Sequence, residues 1–449
     1  MRLLRAATFL AAILISERAW AVGDVTIYDN AQSVPVGGRA AGMAGAYTAL
    51  ACDEGALHYN PASLSCAASS HLELSANAYV LQGMRATGAY GTGHDLTAIT
   101  FHSVPSIVGA VRILREGREQ THFDTYPERL TFGFSVSVPR SVALKVDPPE
   151  EGERNSSIFS IREDLTVGDL GLGYQFNKEV SLGLSLGGLL RTSERHTQWL
   201  LAQTGGRSFV SFGNDRSSYA IDARAKIAAL VRPYDNLSFG LVLTTPSLPI
   251  YGHATESSTF SFANASAFGT GPIRARGNSE VALPARIAFG FAYVRRRYTF
   301  SGDFSVNFAR DVRLAYGMSS GVPDIVMHPG VQPNLNLGAS VPFGKTKEVN
   351  IGFFTDFSSV TQQDVDALGL SRVHMFGSSL TVGLLGKQAR LWVGVAGEIG
   401  HHTARSPGRG FTYERVAAEP PGRLPDDDQT TLVRWTATGI LGSNYSFFD

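Results

Sequence analysis

Few residues in this 449-residue chain have the types and spacing that chemistry needs. Gly183-Leu184-Ser185-Leu186-Gly187 has the glycine and serine spacing of a hydrolase nucleophile, which acts only from a sharp strand-to-helix elbow. Here the alternation of small and apolar residues runs straight through the motif, so it reads as the interior of a strand. Gly344-Lys345-Thr346 resembles the end of a phosphate-binding loop, but the first glycine of that loop would fall on Ala339, inside another alternating run, so the triplet reads as a hairpin turn. His401-His402 lacks two further ligands at recognisable spacing and reads as a loop pair rather than a metal site. Asp426-Asp427-Asp428 has the oxygens to collect calcium, yet it reads better as a solvated loop charge run. Asp222, Arg224 and Lys226 alternate with Ile221, Ala223, Ala225 and Ile227, which places three charges on one face of a strand, either holding an internal segment and lining a path or simply pairing with one another. Cys52 and Cys66 are the only cysteines. In an oxidising compartment they would close a loop worth roughly 3 kcal/mol as a disulfide; otherwise they are two buried thiols. No catalytic residue, cofactor or metal is expected.

The element that recurs along the chain is an amphipathic strand. Leu130, Phe132, Phe134, Val136 and Val138 alternate with Thr131, Gly133, Ser135 and Ser137, and Val180, Leu182, Leu184 and Leu186 with Ser181, Gly183, Ser185 and Gly187. The same period of two runs through Tyr298 to Phe308 and Leu335 to Phe343. Such segments begin near residues 72, 130, 165, 180, 220, 237, 286, 298, 335, 350, 378, 390 and 432, with a weaker one near 95. Each spans about 9 to 12 residues, the length of a tilted strand crossing a bilayer. About fourteen of them, apolar on one face and polar on the other, predict an all-β membrane protein, an antiparallel transmembrane β-barrel over 71–449, because closure removes every exposed edge. Asn177-Lys178, Arg296-Arg297 and Gly344 to Lys347 are tight enough for periplasmic hairpins, and the stretches 139–164, 200–218, 250–282, 309–331 and 401–430 read as the longer extracellular loops. Tyr445 and Phe447 keep a terminal strand in alternation, although Asp449 follows the aromatic end that barrel assembly favours.

Composition agrees. Charged residues are 17% of the chain, below the roughly 25% of soluble domains, while glycine reaches 48 residues, above the usual share of about 7%. Formal net charge is zero, which excludes the basic footprint of a nucleic-acid partner. Arg2 and Arg5, an apolar run from Ala6 to Ile15 and Ala19-Trp20-Ala21 form a signal-peptide pattern over 1–21, with a mature chain expected from Val22. Past that point no window of about 18 apolar residues occurs, which excludes a helical membrane protein.

Residues 22–70 lack alternation and contain short helical patterns near 40–50 and 61–67. Between Val36 and Leu64, the residues Gly38, Ala40, Ala41, Gly42, Met43, Gly45, Ala46, Tyr47, Ala49, Asp53, Tyr59, Asn60, Pro61, Ala62 and Leu64 resemble the N-terminal signature of FadL/TodX-type outer-membrane transport proteins. The resemblance implies an N-terminal plug, or hatch, in the barrel lumen. Gly38, Gly42 and Gly45 would allow close backbone approach, while Asn60, Pro61 and Ala62 form a capped turn. It implies an outer-membrane channel for passive uptake of hydrophobic compounds, long-chain fatty acids or aromatic hydrocarbons, with lateral exit through the barrel wall. The expected partners are that apolar ligand, outer-membrane lipid and lipopolysaccharide, and the barrel-assembly machinery. Similar N-terminal blocks also occur in barrels that serve exported proteins as adaptors, which is the alternative function. An outer-membrane hydrolase is the weaker rival, because no Ser or His dyad stands out.

Overall fold

The computed structural model describes residues 26–30, 36–53, 55–67, 69–75, 78–87, 96–104, 107–116, 129–146, 155–202, 209–264, 267–319, 322–368, 370, 372–386, 389–406 and 428–446. The signal-peptide pattern, Asp426, Asp427 and the last three residues lie outside them. Eighteen hydrogen-bonded segments form one sheet, and they group into a closed antiparallel barrel of fourteen strands. In chain order these are β1 (His71–Ser75, then Ala78–Thr87), β2 (Leu96–Val104, then Ile107–Glu116), β3 (Arg129–Val146), β4 (Asn155–Gln175), β5 (Val180–Ala202), β6 (Phe209–Tyr234) and β7 (Leu237–Thr244, then Leu248–Asn264). They continue as β8 (Ala267–Gly277, then Arg286–Arg295), β9 (Tyr298–Asn307), β10 (Gln332–Phe343), β11 (Lys347–Asp356), β12 (His374–Leu385), β13 (Ala389–Ser406) and β14 (Asp428–Ser446). Pairing of β14 with β1 closes the ring, with His71 opposite Ser446.

The barrel is inside-out relative to a soluble protein. On β5, Leu182, Leu184 and Leu186 are exposed while Ser181 and Ser185 are buried; on β10, Leu335 and Leu337 are exposed while Asn334, Asn336 and Ser340 are buried. Only a lipid surround makes that pattern favourable, because the exposed face is apolar and the polar face is closed off from solvent. Short turns at 176–179, 235–236, 296–297 and 344–346 gather at one end, the periplasmic end in barrels of this type.

Two expectations need correction. Strands β3 to β6 are 18, 21, 23 and 26 residues long, well past a membrane crossing, and they take up most of 139–164 and 200–218, which read as loops in the sequence. Residues 250–282 likewise hold most of β7 and the first part of β8, and β13 and β14 extend into 401–430, so His401-His402 pair in a strand. The apolar signal stops where lipid stops, but backbone pairing continues, supported by cross-strand polar pairs such as Arg216 with Glu256 at 2.8 Å and His196 with Asp215. The helical pattern at 40–50 is also shorter than expected. Helix α1 covers only Gly38–Gly42, because Ala44 and Gly45 take positive φ values of 53° and 77° and turn the chain away. Helix α2 (Ala56–Tyr59) and a 3₁₀ turn (Pro61–Cys66) follow.

These short helices pack against the inner face of the wall. Inward glycines on six strands meet the helices and the turns between them: Gly171 faces Leu57, Gly183 faces Ala62, Gly240 and Gly290 face Thr48, Gly338 faces Met43 and Gly352 faces Ala44. At Gly183 a β-carbon would sit 2.1 Å from the Ala62 backbone nitrogen, so the serine-hydrolase look-alike is a contact surface. Near the extracellular end a second apolar cluster fills the lumen. Ile27, Val281, Leu283, Val312, Met327, Val360 and Val373 pack against wall residues including Leu165 and Leu189. Replacing Gly183 by Val is expected to displace the 61–66 turn at an overpacking cost of about 1–3 kcal/mol, lowering the thermal midpoint and exposing residues 36–67 to protease. Gly168→Ala, with open space around its β-carbon, is the matched control and leaves both unchanged.

Candidate functional site

The N-terminal segment runs the length of the lumen. Residues 26–30 lie in the extracellular half, where Ile27 donates its N–H to Glu163 Oε2 at 3.0 Å, and Arg140 Nη1 donates to the Ile27 carbonyl at 3.2 Å. Tyr28 Oη donates to the Val281 carbonyl at 2.6 Å, and Asn30 Nδ2 to the carbonyls of Asp356 and Val373. The segment then descends and leaves at the periplasmic end into β1. Its irregular backbone exposes N–H and C=O groups that no water-poor lumen would solvate, and inward side chains of the wall satisfy them. Asp303 Oδ2 accepts from the N–H groups of Tyr47 at 2.9 Å and Thr48 at 2.8 Å; Ser301, Asn336 and Ser379 donate to the carbonyls of Ala46, Ala44 and Gly42.

The residues singled out in the sequence take distinct places. Gly38 meets Gly442 and Trp392, Gly42 meets Thr381 and Asn350, and Gly45 supplies a left-handed turn. Asn60 is fully buried; its Oδ1 accepts from Ala62 N at 3.0 Å and its Nδ2 donates to Thr48 O at 2.8 Å, with Pro61 at the first position of the turn. Cys52 and Cys66 are joined in a disulfide with Cα atoms 5.2 Å apart. The three strand charges do not act together. Asp222 accepts from Ser247 Oγ and from the N–H groups of Val281 and Ala282, folding residues 278–285 into the lumen. Lys226 Nζ pairs with Asp169 at 2.8 Å and donates to the Leu57 carbonyl at 2.6 Å, tying α2 to the wall. Arg224 lines a cavity, and its Nε has no hydrogen-bond partner among the described residues.

That cavity, about 110 Å³, lies between the N-terminal segment and the extracellular apolar cluster, lined by Arg140, Arg224, Lys226, Arg286, His58 and Asp303 among others. Four cations face one carboxylate. Arg140 and Arg286 were not picked out in the sequence; each stands at a strand irregularity, Arg140 after Pro139 and Arg286 at the restart of β8. A larger groove, about 880 Å³, is lined by Arg162, Glu194, His196 and Asp215. Those residues continue the face that carries Leu182 to Leu190, so the groove is on the outside of the extended strands rather than in the lumen.

The wall beside the cavity is incomplete. Among the described residues, β3 from Arg140 to Val146 pairs only with β4, although the Leu96–Val104 part of β2 runs next to it. Side chains stitch the seam instead: Gln82 Oε1 accepts from Ala143 N at 3.0 Å, its Nε2 donates to Ser141 O at 3.3 Å, and Lys145 N donates to Thr100 Oγ1 at 3.2 Å. Pro139 and Arg140 belong to both seam and cavity.

The fold is similar to those of solved FadL- and TodX-type barrels. The solved structures similar to the chain include a Pseudomonas aeruginosa FadL homologue, with TM-score 0.65 at 13% identity over 93% of this chain and 100% of that one. The Pseudomonas putida toluene transporter TodX matches with TM-score 0.62 at 13% identity over 92% and 99%, and the Ralstonia pickettii toluene transporter TbuX with 0.56 at 13% over 92% and 99%. No protein-family model and no curated protein sequence matches the chain.

Two outcomes follow. Lys226→Met leaves Asp169 buried without its partner and is expected to cost about 3–5 kcal/mol in the denaturation midpoint, whereas Asp169→Leu with Lys226→Met recovers most of it. His58 is buried near Lys226, Arg224, Arg286 and Arg140, and burial first, then those cations, hold its pKa well below the ordinary 6.5. Its neutral form is the packed one. The stability it contributes is therefore complete above pH 6.5 and falls as pH drops below that value, because the unfolded imidazole takes up the proton first. Thermal midpoints between neutral and mildly acidic pH should show this slope in the native protein and a flatter one in His58→Gln.

Proposed function

We propose that the protein is an outer-membrane channel for passive uptake of hydrophobic compounds, and that its N-terminal segment is the plug of that channel. The observation that carries the reading is a small lumenal cavity abutting a stretch of barrel wall that pairs on one side only. An apolar molecule gains nothing by crossing a wet pore, so a route from an interior pocket sideways into lipid keeps its apolar surface buried. The seam at Gln82, Ser141 and Ala143 supplies such a route at the cost of a few side-chain hydrogen bonds.

The cavity is too small to hold a ligand as it stands, since binding pockets run from about 300 Å³ upward. Passage therefore needs the plug to shift, and residues 26–30, joined to both Arg140 and Glu163, are placed to couple that shift to the cavity. The lining of Arg140, Arg224 and Arg286 favours an anionic amphiphile such as a long-chain fatty acid over an uncharged aromatic hydrocarbon, since a buried guanidinium gains most from a carboxylate. The adaptor function draws no support from the similar structures, which include two toluene transporters.

Uptake of radiolabelled oleate and of a monoaromatic hydrocarbon should be compared in cells with and without the protein. Oleate uptake is expected to depend on it, and Arg140→Gln with Arg224→Gln to lower that uptake by about tenfold or more, since each charged hydrogen bond lost costs about 1.5–3 kcal/mol. No dependence for either compound would remove the channel reading; a hydrocarbon dependence insensitive to both arginines would keep the channel and remove the carboxylate preference.

A further inference from the structure

At the periplasmic end, two neighbouring hairpins concentrate positive charge. The β8–β9 turn carries Arg295, Arg296 and Arg297, and the β10–β11 turn carries Lys345 and Lys347, all exposed. The turns are adjacent because β9 pairs with β10, and Arg297 Nη1 donates to the Gly344 carbonyl at 2.6 Å. The nearest acids are elsewhere: Glu348 is buried and faces inward against Arg39 and Trp392, and Asp235 stands alone on the next hairpin. Arg296 also adopts a φ of 57°, a left-handed position that glycine takes more cheaply and does take at Gly344, where φ is 70°. Turn geometry alone therefore does not explain the arginine.

The charge continues the lipid-facing surface. Arg295 is opposite Tyr298 and Lys347 is opposite Phe343 in register, and those aromatics are 46% and 68% exposed on the outer face. Aromatic side chains of this kind mark the boundary between hydrocarbon and headgroups. The five cations consequently stand at headgroup depth beside the periplasmic leaflet, where a phosphodiester is the group available to them, and Arg and Lys both suit phosphate.

We propose that this pair of hairpins is a binding site for an anionic phospholipid headgroup of the periplasmic leaflet. Arg296 and Lys345, on the two adjacent turns, reach the phosphate from the rim, while Arg295 and Lys347, on strands three places apart, flank it on the lipid-facing side. Arg297 holds the two turns together and is a positioning residue. The site is independent of the uptake reading, since it lies outside the barrel and touches neither cavity nor seam.

The test uses the full chain in nanodiscs of zwitterionic phosphatidylcholine doped with phosphatidylglycerol, with native mass spectrometry counting lipids retained by the folded barrel. The native protein is expected to retain phosphatidylglycerol over phosphatidylcholine, and Arg296→Gln with Lys345→Gln and Lys347→Gln to lower that preference by about tenfold or more, each cation contributing near an anionic surface. A control removes three cations at the opposite end, Lys145→Gln with Arg274→Gln and Arg276→Gln. Equal loss in that control would show a response to total charge and overturn the site, as would an unchanged preference in the hairpin variant. Only folded, heat-modifiable species are counted, so misfolding does not mimic either result.

Discussion

The rest of the molecule depends on one constraint: a lumen wide enough for a fourteen-stranded wall, lined by polar side chains, cannot be left either empty or oily. Each buried serine, asparagine and carboxylate on the inner face needs a partner, and the N-terminal segment needs one for each backbone group that its short helices leave unpaired. The two needs answer each other. Asp303 takes two N–H groups from Tyr47 and Thr48, and Lys226 reaches the Leu57 carbonyl while pairing with Asp169. Glycines on the wall then let the two backbones approach closely enough for those bonds to form. Close packing and polar satisfaction are here the same requirement, met by small residues beside hydrogen-bonding ones.

How much of this could be read from the sequence follows from what each part buries. The barrel was legible because lipid imposes a period of two that runs through Leu182, Leu184 and Leu186 without interruption. The extended ends of β3 to β6 were not, because above the membrane both faces are polar and the contrast vanishes while the ladder continues. The lumenal residues were half legible. Asp222, Arg224 and Lys226 stood out as charges on one strand face, yet their partners, residues 281–282, the cavity and Asp169, come from distant parts of the chain. Arg140 and Arg286 gave no such signal, since each follows a break in alternation where face can no longer be counted. The seam between β2 and β3 was also invisible, because a missing ladder leaves no trace in composition.

Polarity divides the lumen into three levels. An apolar cluster around Ile27 and Val281 fills the extracellular side, the N-terminal segment fills the periplasmic side, and between them a small cationic space borders a stretch of wall that, among the described residues, is held to β2 by side chains. Opening at either closed level means dismantling packed contacts, whereas opening at the seam means exchanging a few hydrogen bonds. The proposed sideways route rests on that order of strength.

The course of the N-terminal segment also bears on how such a chain comes to be assembled. Residues 26–67 precede every strand, yet their partners sit on strands as late as β12 and β14, with Ser379 bonded to the Gly42 carbonyl and Arg434 to Asn30. The hydrogen bonds of the segment are therefore complete only once β12 and β14 are in place. Contacts so distant along the chain make for slow folding. The last hydrogen bonds of the ring, between its first and final strands, hold the wall around contents that its late strands themselves bind.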